Sequence, residues 1–204
     1  MKKMTIFVEN TTDMDFLRKL VKIIYNHDLS DQRGVGGFIL MSGAGNEKSQ
    51  NKAYFEKSTD SGCVNLVFED ADYKNNSTYG FEKQKERLEK LAEELNFDFF
   101  LFPNHQDDGN LEIILENCLS KRASEIVACL NVYHECLEKK GLGHKNPKTY
   151  HNRWNMIESA LLDIKKPEKR DFSDEQIWFI KENPYLAPLI NFLDQYFTSE
   201  PSLK

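Results

Sequence analysis

The stretch CVNLVFEDADYKNN, residues 63–76, begins as the most apolar strand-like run in the chain and then turns acidic. A strand that is apolar on both faces is typical of a parallel sheet covered by helices on two sides. Glu69, Asp70 and Asp72 follow the apolar part at once. This junction predicts a buried strand that delivers carboxylates to the edge of a sheet.

Three other short runs have the composition of strands. They are MTIFVE (4–9), GFILM (37–41) and FDFFLF (97–102). Apolar runs of about four to eight residues bounded by turn signals are typical of buried strands. With residues 63–68 they predict a mostly parallel four-stranded sheet.

Helical patterns separate these strands. Residues 10–27 carry apolar residues at helical spacing, and Thr12 with Asp15 resembles a capping box at the helix start. Residues 79–96 have one apolar face and one charged face, as an amphipathic helix does. Strands that alternate with helices predict an α/β fold.

The character of the chain changes after Pro103. Residues 111–141 are predicted to be helical in two pieces, and no further convincing strand follows. We therefore expect an α/β core over residues 1–109 and an α-helical extension over residues 110–204 packed on it as one structural unit. The aromatic and apolar anchors expected to dock the tail are Trp178, Phe179, Tyr185 and Leu186.

Length and composition limit the class of protein. A chain of 204 residues suits one domain with an extension, and a net charge of -6 argues against coating nucleic acid by bulk charge. The four cysteines lack the paired spacing of a disulfide scaffold, which predicts reduced thiols. The sequence has neither a signal-like N-terminus nor an apolar run of about 18 residues. We expect a cytoplasmic protein without a membrane partner, and no oligomeric state is predicted.

Three of the four predicted strands run into acidic residues at their carboxyl ends. Parallel strands bring these ends to one rim, where α/β proteins bind ligands. If the third strand continues far enough, Asp70 and Asp72 point to the same face, and Glu69 points to the opposite one. Co-directed carboxylates repel each other unless a cation lies between them, and hard oxygen ligands suit Mg²⁺ or Mn²⁺. The carboxylates of this rim are Glu9, Asp13, Asp15, Glu69, Asp70, Asp72, Asp107 and Asp108.

The order of these motifs resembles the TOPRIM fold. IFVENTTDMDFL (6–17) has a Glu after the first strand, SGAGN (42–46) gives a small-residue turn after the second, and EDAD (69–72) gives DxD after the third. The segments FLFPNHQDDGNLEIIL (100–115) and DFSDEQIWFIKENPYLAPLINFL (171–193) resemble more particularly a bacterial branch of TOPRIM-like proteins with an OLD/TOPRIM nuclease-like fold.

The resemblance implies a set of catalytic and metal-binding residues. TOPRIM proteins include topoisomerases, primases, recombination proteins and nucleases. By this resemblance Glu9 acts as acid/base or metal ligand, and Asp70 and Asp72 bind Mg²⁺ or Mn²⁺. Asn10 stands where the family motif usually has Gly, and no tyrosine nucleophile is assignable, which favours hydrolysis over strand passage. Residues that add ligands or support those ligands are expected to be Asp13, Asp107 and Asp108.

Several of these residues have a simpler structural interpretation. Asp108 or Asn110 is expected to cap the helix that starts near Leu111, and Glu69 to be solvated or to face a helix terminus. Gly43, Gly45 and Lys48 are candidates for phosphate contact, but SGAGN is neither a full P-loop nor a complete GxGxxG, and a tight turn is the favoured interpretation. Cys129, His134 and Cys136 suggest zinc, but packing on an amphipathic helix is the favoured interpretation. The basic residues between 139 and 153 suit either a nucleic-acid backbone or a solvated loop.

Two functional hypotheses follow. In the first, the chain is a Mg²⁺-dependent TOPRIM-like nuclease or other enzyme that hydrolyses phosphodiester bonds in DNA or RNA. In the alternative, it is a non-catalytic TOPRIM-like binding or regulatory module that works with a partner ATPase or nuclease, because the chain has no ATP-binding P-loop of its own. A purely structural role for the carboxylates is a third interpretation.

Overall fold

The computed structural model describes residues 3–29, 33–41, 51–74, 79–142, 156–157, 159–161 and 171–198. Within them one sheet of four strands has the order β2-β1-β3-β4, with every neighbouring pair parallel. The strands are β1 (Met4–Val8), β2 (Phe38–Leu40), β3 (Val64–Asp70) and β4 (Asp98–Phe102). The predicted α/β fold with a parallel four-stranded sheet is confirmed.

Helices connect the strands and follow them in the second half of the chain. They are α1 (Thr11–Tyr25), α2 (Lys52–Asp60), α3 (Phe81–Leu95), α4 (Leu111–Asn117), α5 (Lys121–Lys139), a 3-10 turn (Pro184–Leu186) and α6 (Ala187–Phe197). The break between α4 and α5 confirms that the long helical pattern after Pro103 is two helices.

The first helix begins one residue earlier than its predicted cap. Asn10 is the N-cap: its side-chain oxygen accepts from the N–H of Thr12 at 2.7 Å and of Asp13 at 3.2 Å. In return the Asp13 carboxylate accepts from the Asn10 N–H at 3.3 Å. The predicted capping box of Thr12 and Asp15 is therefore wrong, because the extended backbone of Asn10, directly after β1, already provides the cap.

Alternate strand residues enter two separate hydrophobic clusters. On one face, Ile6, Val8 and Phe68 pack with α1, α4 and α6. On the other face, Phe7 and Val67 pack with α2 and α3. This alternation is the period of two that a β-strand imposes on its side chains.

The residues after position 110 share the first of these clusters. Leu115, Trp178 and Leu186 are all buried in it beside residues of β1 and β3. The anchoring roles of Trp178 and Leu186 are confirmed, whereas Phe179 is 47% exposed and does not anchor the tail.

A histidine closes part of the open edge of β4. The Leu101 N–H donates to Nδ1 of His105 at 3.0 Å, and the His105 N–H donates to the Leu101 carbonyl at 2.8 Å. Burial and the nearby Lys85 lower the pKa of His105, which favours the neutral ring that accepts this bond. Blocking the polar groups of an edge strand limits pairing with other strands.

The carboxylate of Glu69 is fully buried on the opposite side of β3 from Asp70. Arg87 of α3 donates to Glu69 through Nη2, and its Nε donates to Gln84 at 2.8 Å. The expectation that Glu69 is solvated or faces a helix terminus is wrong, because a cation 18 positions away in the chain reaches it. The expectation that Glu69 and Asp70 point to opposite faces is confirmed.

We expect Arg87→Met to lower the free energy of unfolding by about 3 kcal/mol, because the variant removes the guanidinium that pairs with a buried carboxylate. Denaturant unfolding measures this change. Arg122→Met is the matched control, since Arg122 is exposed and forms no ion pair within the described residues. The double variant Glu69→Gln/Arg87→Met should recover part of the loss; an Arg87→Met protein as stable as the control would contradict this account.

Candidate functional site

Two central strands, β1 and β3, end side by side and deliver carboxylates to one place. Val8 pairs with Phe68, so Glu9 leaves β1 next to the last residues of β3. The α1 helix starts immediately afterwards and carries Asp13 in its first turn. Asp70 is the last residue of β3. Glu9, Asp13 and Asp70 therefore lie together at the carboxyl ends of the two central strands, on the rim predicted from the sequence.

A fourth carboxylate comes from α4. The N–H of Leu111, the first residue of that helix, donates to Oδ1 of Asp70 at 2.9 Å. Glu112 is the next residue, and its negative charge acts on both Asp13 and Asp70. We call Glu9, Asp13, Asp70 and Glu112 the acidic cluster.

Burial and mutual repulsion favour the protonated forms of the two central carboxyls. Burial raises the pKa of Asp13 to about 8, and the charges of Glu9 and Glu112 add to this shift against the hydrogen bonds from Asn10. Burial also raises the pKa of Asp70 well above its ordinary value, reinforced by Asp13, Glu9 and Glu112 and opposed by the Leu111 N–H. Neither aspartate forms an ion pair within the described part of the chain. The cluster therefore concentrates carboxyl groups, without a positive side chain paired to either aspartate in the described residues.

Asp72 lies beyond the end of β3. The alternation of strand side chains, which was expected to point Asp70 and Asp72 to the same face, therefore does not apply to Asp72. β3 ends at Asp70, and Asp72 has a left-handed φ of 59°. Its backbone instead pairs with Gly109, through N–H to carbonyl bonds of 2.7 and 2.9 Å. Burial and the charge of Glu112 raise the pKa of Asp72. Asp72 thus sits on the Glu112 side of the acidic cluster.

Gly109 makes this backbone pairing geometrically feasible. Its φ is 142°, and a Cβ at this position would lie 2.3 Å from Cδ1 of Ile113 and 3.2 Å from the Pro103 ring. A residue with a Cβ would be strained at this φ and would have to displace the Ile113 side chain.

Asp107 and Asp108 make other contacts. Asp108 accepts from the Phe81 N–H at 2.7 Å and from the Lys74 N–H at 3.1 Å, so it caps α3. Exposed Asp107 accepts from the Asn104 side chain at 2.7 Å. Of the two residues expected to cap the helix starting at Leu111, Asp108 does not, and Asn110 is the N-cap in position but makes no side-chain capping bond.

Asp70 takes that capping role instead. Asn110 holds the N-cap position of α4, but its side chain makes no capping bond, and the Leu111 N–H turns to Asp70. The side-chain oxygen of Asn110 is buried and has no hydrogen-bond partner among the described residues. One turn thus contains a carboxylate bound to a helix start and an unsatisfied polar oxygen.

Other candidate residues fall outside this site. Gly43, Gly45 and Lys48 lie outside the described residues, as do residues 143–155 of the basic segment. Cys129 and Cys136 are exposed on α5, so their expected role in helix packing is wrong.

The donor chemistry of the acidic cluster suits a hard cation that takes few protein ligands. Within the described ranges, no three His, Cys, Asp or Glu side chains are arranged to hold a metal ion. Mg²⁺ commonly uses only one or two carboxylates and completes its octahedron with water and substrate phosphates. Asp70 with one neighbouring carboxylate would meet this smaller requirement.

Sequence reasoning missed Glu112 and undervalued Asp13. Glu112 lies 42 positions after Asp70 in the chain, and contacts between distant segments, the Leu111 to Asp70 hydrogen bond and the Asp72–Gly109 backbone pairing, bring its helix start to the rim. The available signal was the acidic first turn of a helix that follows the fourth strand directly. Asp13, expected as a supporting residue, is 3% exposed and lies within the cluster.

Comparisons with protein-family models, curated proteins and solved structures found no significant match to this chain. The resemblance to TOPRIM proteins therefore stays a prediction from sequence motifs. Among the described residues, no helix combines the length and apolar character needed to cross a bilayer.

We expect the metal-free chain to be less stable at about pH 8 than at about pH 5. Folded Asp13 keeps its proton up to about pH 8, whereas the unfolded chain loses it near 3.8. Between these values the folded state binds more protons, so the free energy of unfolding decreases as pH rises. Denaturant titrations in EDTA across this range measure the slope.

Asp13→Asn should flatten this slope and be more stable than the parent chain at about pH 8. Asn retains an oxygen that can accept from the Asn10 N–H, so the cap survives the change. Asp60→Asn, which alters an exposed residue of α2, serves as control and should keep the parent slope. An unchanged slope in Asp13→Asn would show that Asp13 titrates normally.

Proposed function

We propose that the chain is a TOPRIM-like protein that hydrolyses phosphodiester bonds, or otherwise processes nucleic acid, with Mg²⁺ or Mn²⁺ at the acidic cluster. The observation that carries this proposal is the meeting of buried Asp13 and half-buried Asp70 at the carboxyl ends of adjacent central strands. Buried like charges without paired cations destabilise a fold, so such a cluster is expected where a bound cation offsets the cost.

The position in the sheet supports the same proposal. Ligands of parallel α/β sheets bind beyond the carboxyl ends of the strands, where the acidic cluster lies. Glu9 and Asp70 also occupy the places that the motif resemblance assigns to acid/base and metal-binding residues. Asp72, given the same role by that resemblance, leaves the strand direction and is proposed as an outer contributor through its position beside Glu112.

Three residues of the cluster have distinct proposed roles. Asp70 is held by the Leu111 N–H, which fixes one carboxylate oxygen and leaves the other for the cation. Asp13 is held by Asn10 and adds negative charge beside it. Glu9, half-buried at the end of β1, is proposed to move the proton of the attacking water. The bound cation would neutralise phosphate charge and lower the pKa of water.

The substrate class follows from this chemistry rather than from overall charge. A cation held by few carboxylates takes its remaining ligands from substrate phosphates, which suits DNA, RNA or another phosphodiester. The net charge of -6 makes a small local contact with the substrate more suitable than a broad electrostatic surface.

A second candidate function is a non-catalytic module that works with a partner ATPase or nuclease. It is favoured by the lack, among the described residues, of three side chains arranged as a preformed metal cage. In this case the acidic cluster would bind a cation or a basic group only when the partner completes the site.

The test combines Mn²⁺ calorimetry with turnover of labelled single- and double-stranded DNA and RNA in Mg²⁺, Mn²⁺ or EDTA. Asp70→Asn should abolish saturable Mn²⁺ binding, because it removes the charge while keeping an acceptor for Leu111. Glu9→Gln should lower kcat by roughly 10²- to 10⁴-fold, the usual contribution of a general acid or base.

Asp60→Asn is the control and should match the parent chain in binding and turnover. Circular dichroism and a thermal melt establish that each variant is folded. Identical Mn²⁺ binding in the parent and in Asp70→Asn would exclude Asp70 as a ligand. Cation binding without turnover on any of these substrates would favour the module that needs a partner.

A further inference from the structure

The longest helix of the described chain, α5, has two apolar faces. The first face packs inward: Ala123 is buried, and Val127 and Leu130 contact the main hydrophobic cluster. The second face carries Cys129, Val132, Tyr133 and Cys136, which are all exposed. A helix that is apolar on more than its inward side generally has something to cover the additional side.

The spacing of these four residues places them on one side of the helix. They stand at i, i+3, i+4 and i+7, the repeat by which helices pack against other helices. Val132 is 66% exposed and Tyr133 is 49% exposed, at the centre of the row. We call these four residues, with the flanking Glu125 and Lys140, the outer face of α5.

The outer face is complementary to itself when it is reversed. Consider two antiparallel copies of the helix related by a two-fold axis that passes between Val132 and Tyr133. Cys129 of one copy then lies opposite Cys136 of the other, and Glu125 lies opposite Lys140. Both charged residues are exposed and neither forms an ion pair among the described residues. A surface that opposes acid to base and apolar to apolar under a two-fold rotation fits an isologous interface.

We propose that the outer face of α5 binds the same face of a second copy of the chain, with the two helices antiparallel. In this dimer Val132 contacts Tyr133 of the partner subunit, and Cys129 lies opposite the partner's Cys136. Glu125 pairs with the partner's Lys140 at each end of the contact.

The charges select the antiparallel arrangement. A parallel pair in register would set Glu125 against the partner's Glu125 and Lys140 against the partner's Lys140, and like charges across an interface disfavour association. A contact of about four helical turns is small, and interfaces below about 1,200 Å² are generally reversible. The dimer is therefore expected to dissociate on dilution.

The first test is the dissociation constant of the dimer from sedimentation equilibrium. Val132→Asp should weaken it by roughly a hundredfold, because each dimer contains two copies and each buried valine contributes on the order of a tenfold effect. Since Val132 is exposed in the single chain, the variant should fold normally by circular dichroism. Tyr54→Asp is the matched control: Tyr54 is 45% exposed on α2 and should leave dimerisation unchanged.

The second test addresses the charged pair. Glu125→Lys and Lys140→Glu should each weaken the dimer, because each places like charges opposite one another. The double variant should restore the parent dissociation constant, since the two changes exchange the partners of each pair. Failure of the double variant to recover would overturn the proposed register.

The third test uses chemical cross-linking with a short bismaleimide. Cys129→Ser and Cys136→Ser chains should each give little cross-linked dimer alone, because the remaining thiols are about two helical turns apart across the interface. A mixture of the two variants should cross-link efficiently, joining Cys129 of one chain to Cys136 of the other. Cys63 and Cys118 are buried and do not compete.

Three results would overturn the proposal. One is a parent chain that stays monomeric at every concentration; another is a dimer that Val132→Asp does not weaken. The third is cross-linking of each single variant with itself, which would indicate parallel helices. None of these experiments involves the acidic cluster, so they test the proposed dimer independently of the proposed hydrolysis.

Discussion

The carboxyl groups that meet between β1, β3 and α4 are the constraint on which much of this structure depends. Asp13 and Asp70 are enclosed together, and neither has a cation paired to it within the described residues. The same two carboxylates accept the N–H groups at the starts of α1 and α4. The acidic cluster therefore cannot relax by moving its side chains away without uncapping two helices. A site that keeps charge at a cost to stability is the usual compromise of functional residues.

The two adjacent acidic residues of β3, Glu69 and Asp70, differ in the groups that surround their carboxyls. Glu69 faces α3 and accepts a hydrogen bond from Arg87. Asp70 faces α4, where it accepts a hydrogen bond from the Leu111 N–H and is close enough to Asp13, Glu9 and Glu112 for their charges to raise its pKa. The strand thus has a carboxylate paired with a cationic side chain on one face, and on the other a carboxyl group with no such partner among the described residues. Only the second has chemistry to offer a cation or a substrate.

The sequence was informative where the determining contacts are local. The strands and the helix over residues 81–95 were predicted to within a few residues, because their apolar periods lie within single segments. The start of α1 was misplaced because Asn10 and Thr12 both suit a cap, and only the end of β1 chooses between them. Glu112 and the partner of Glu69 depend on contacts between distant segments, so no local pattern revealed them. The roles assigned by motif resemblance stay predictions.

The histidine at the edge of β4 has a consequence for how this protein meets other chains. His105 hydrogen-bonds to both backbone polar groups of Leu101, so only a short stretch of the β4 edge remains available to an incoming strand. This contact therefore disfavours association by addition of strands to the sheet, including the repeated addition that forms amyloid fibrils. Acid that protonates Nδ1 would remove the acceptor and expose a backbone donor. Because burial and Lys85 lower the pKa of His105, the neutral ring that accepts this bond persists in more acidic solution than an ordinary histidine would.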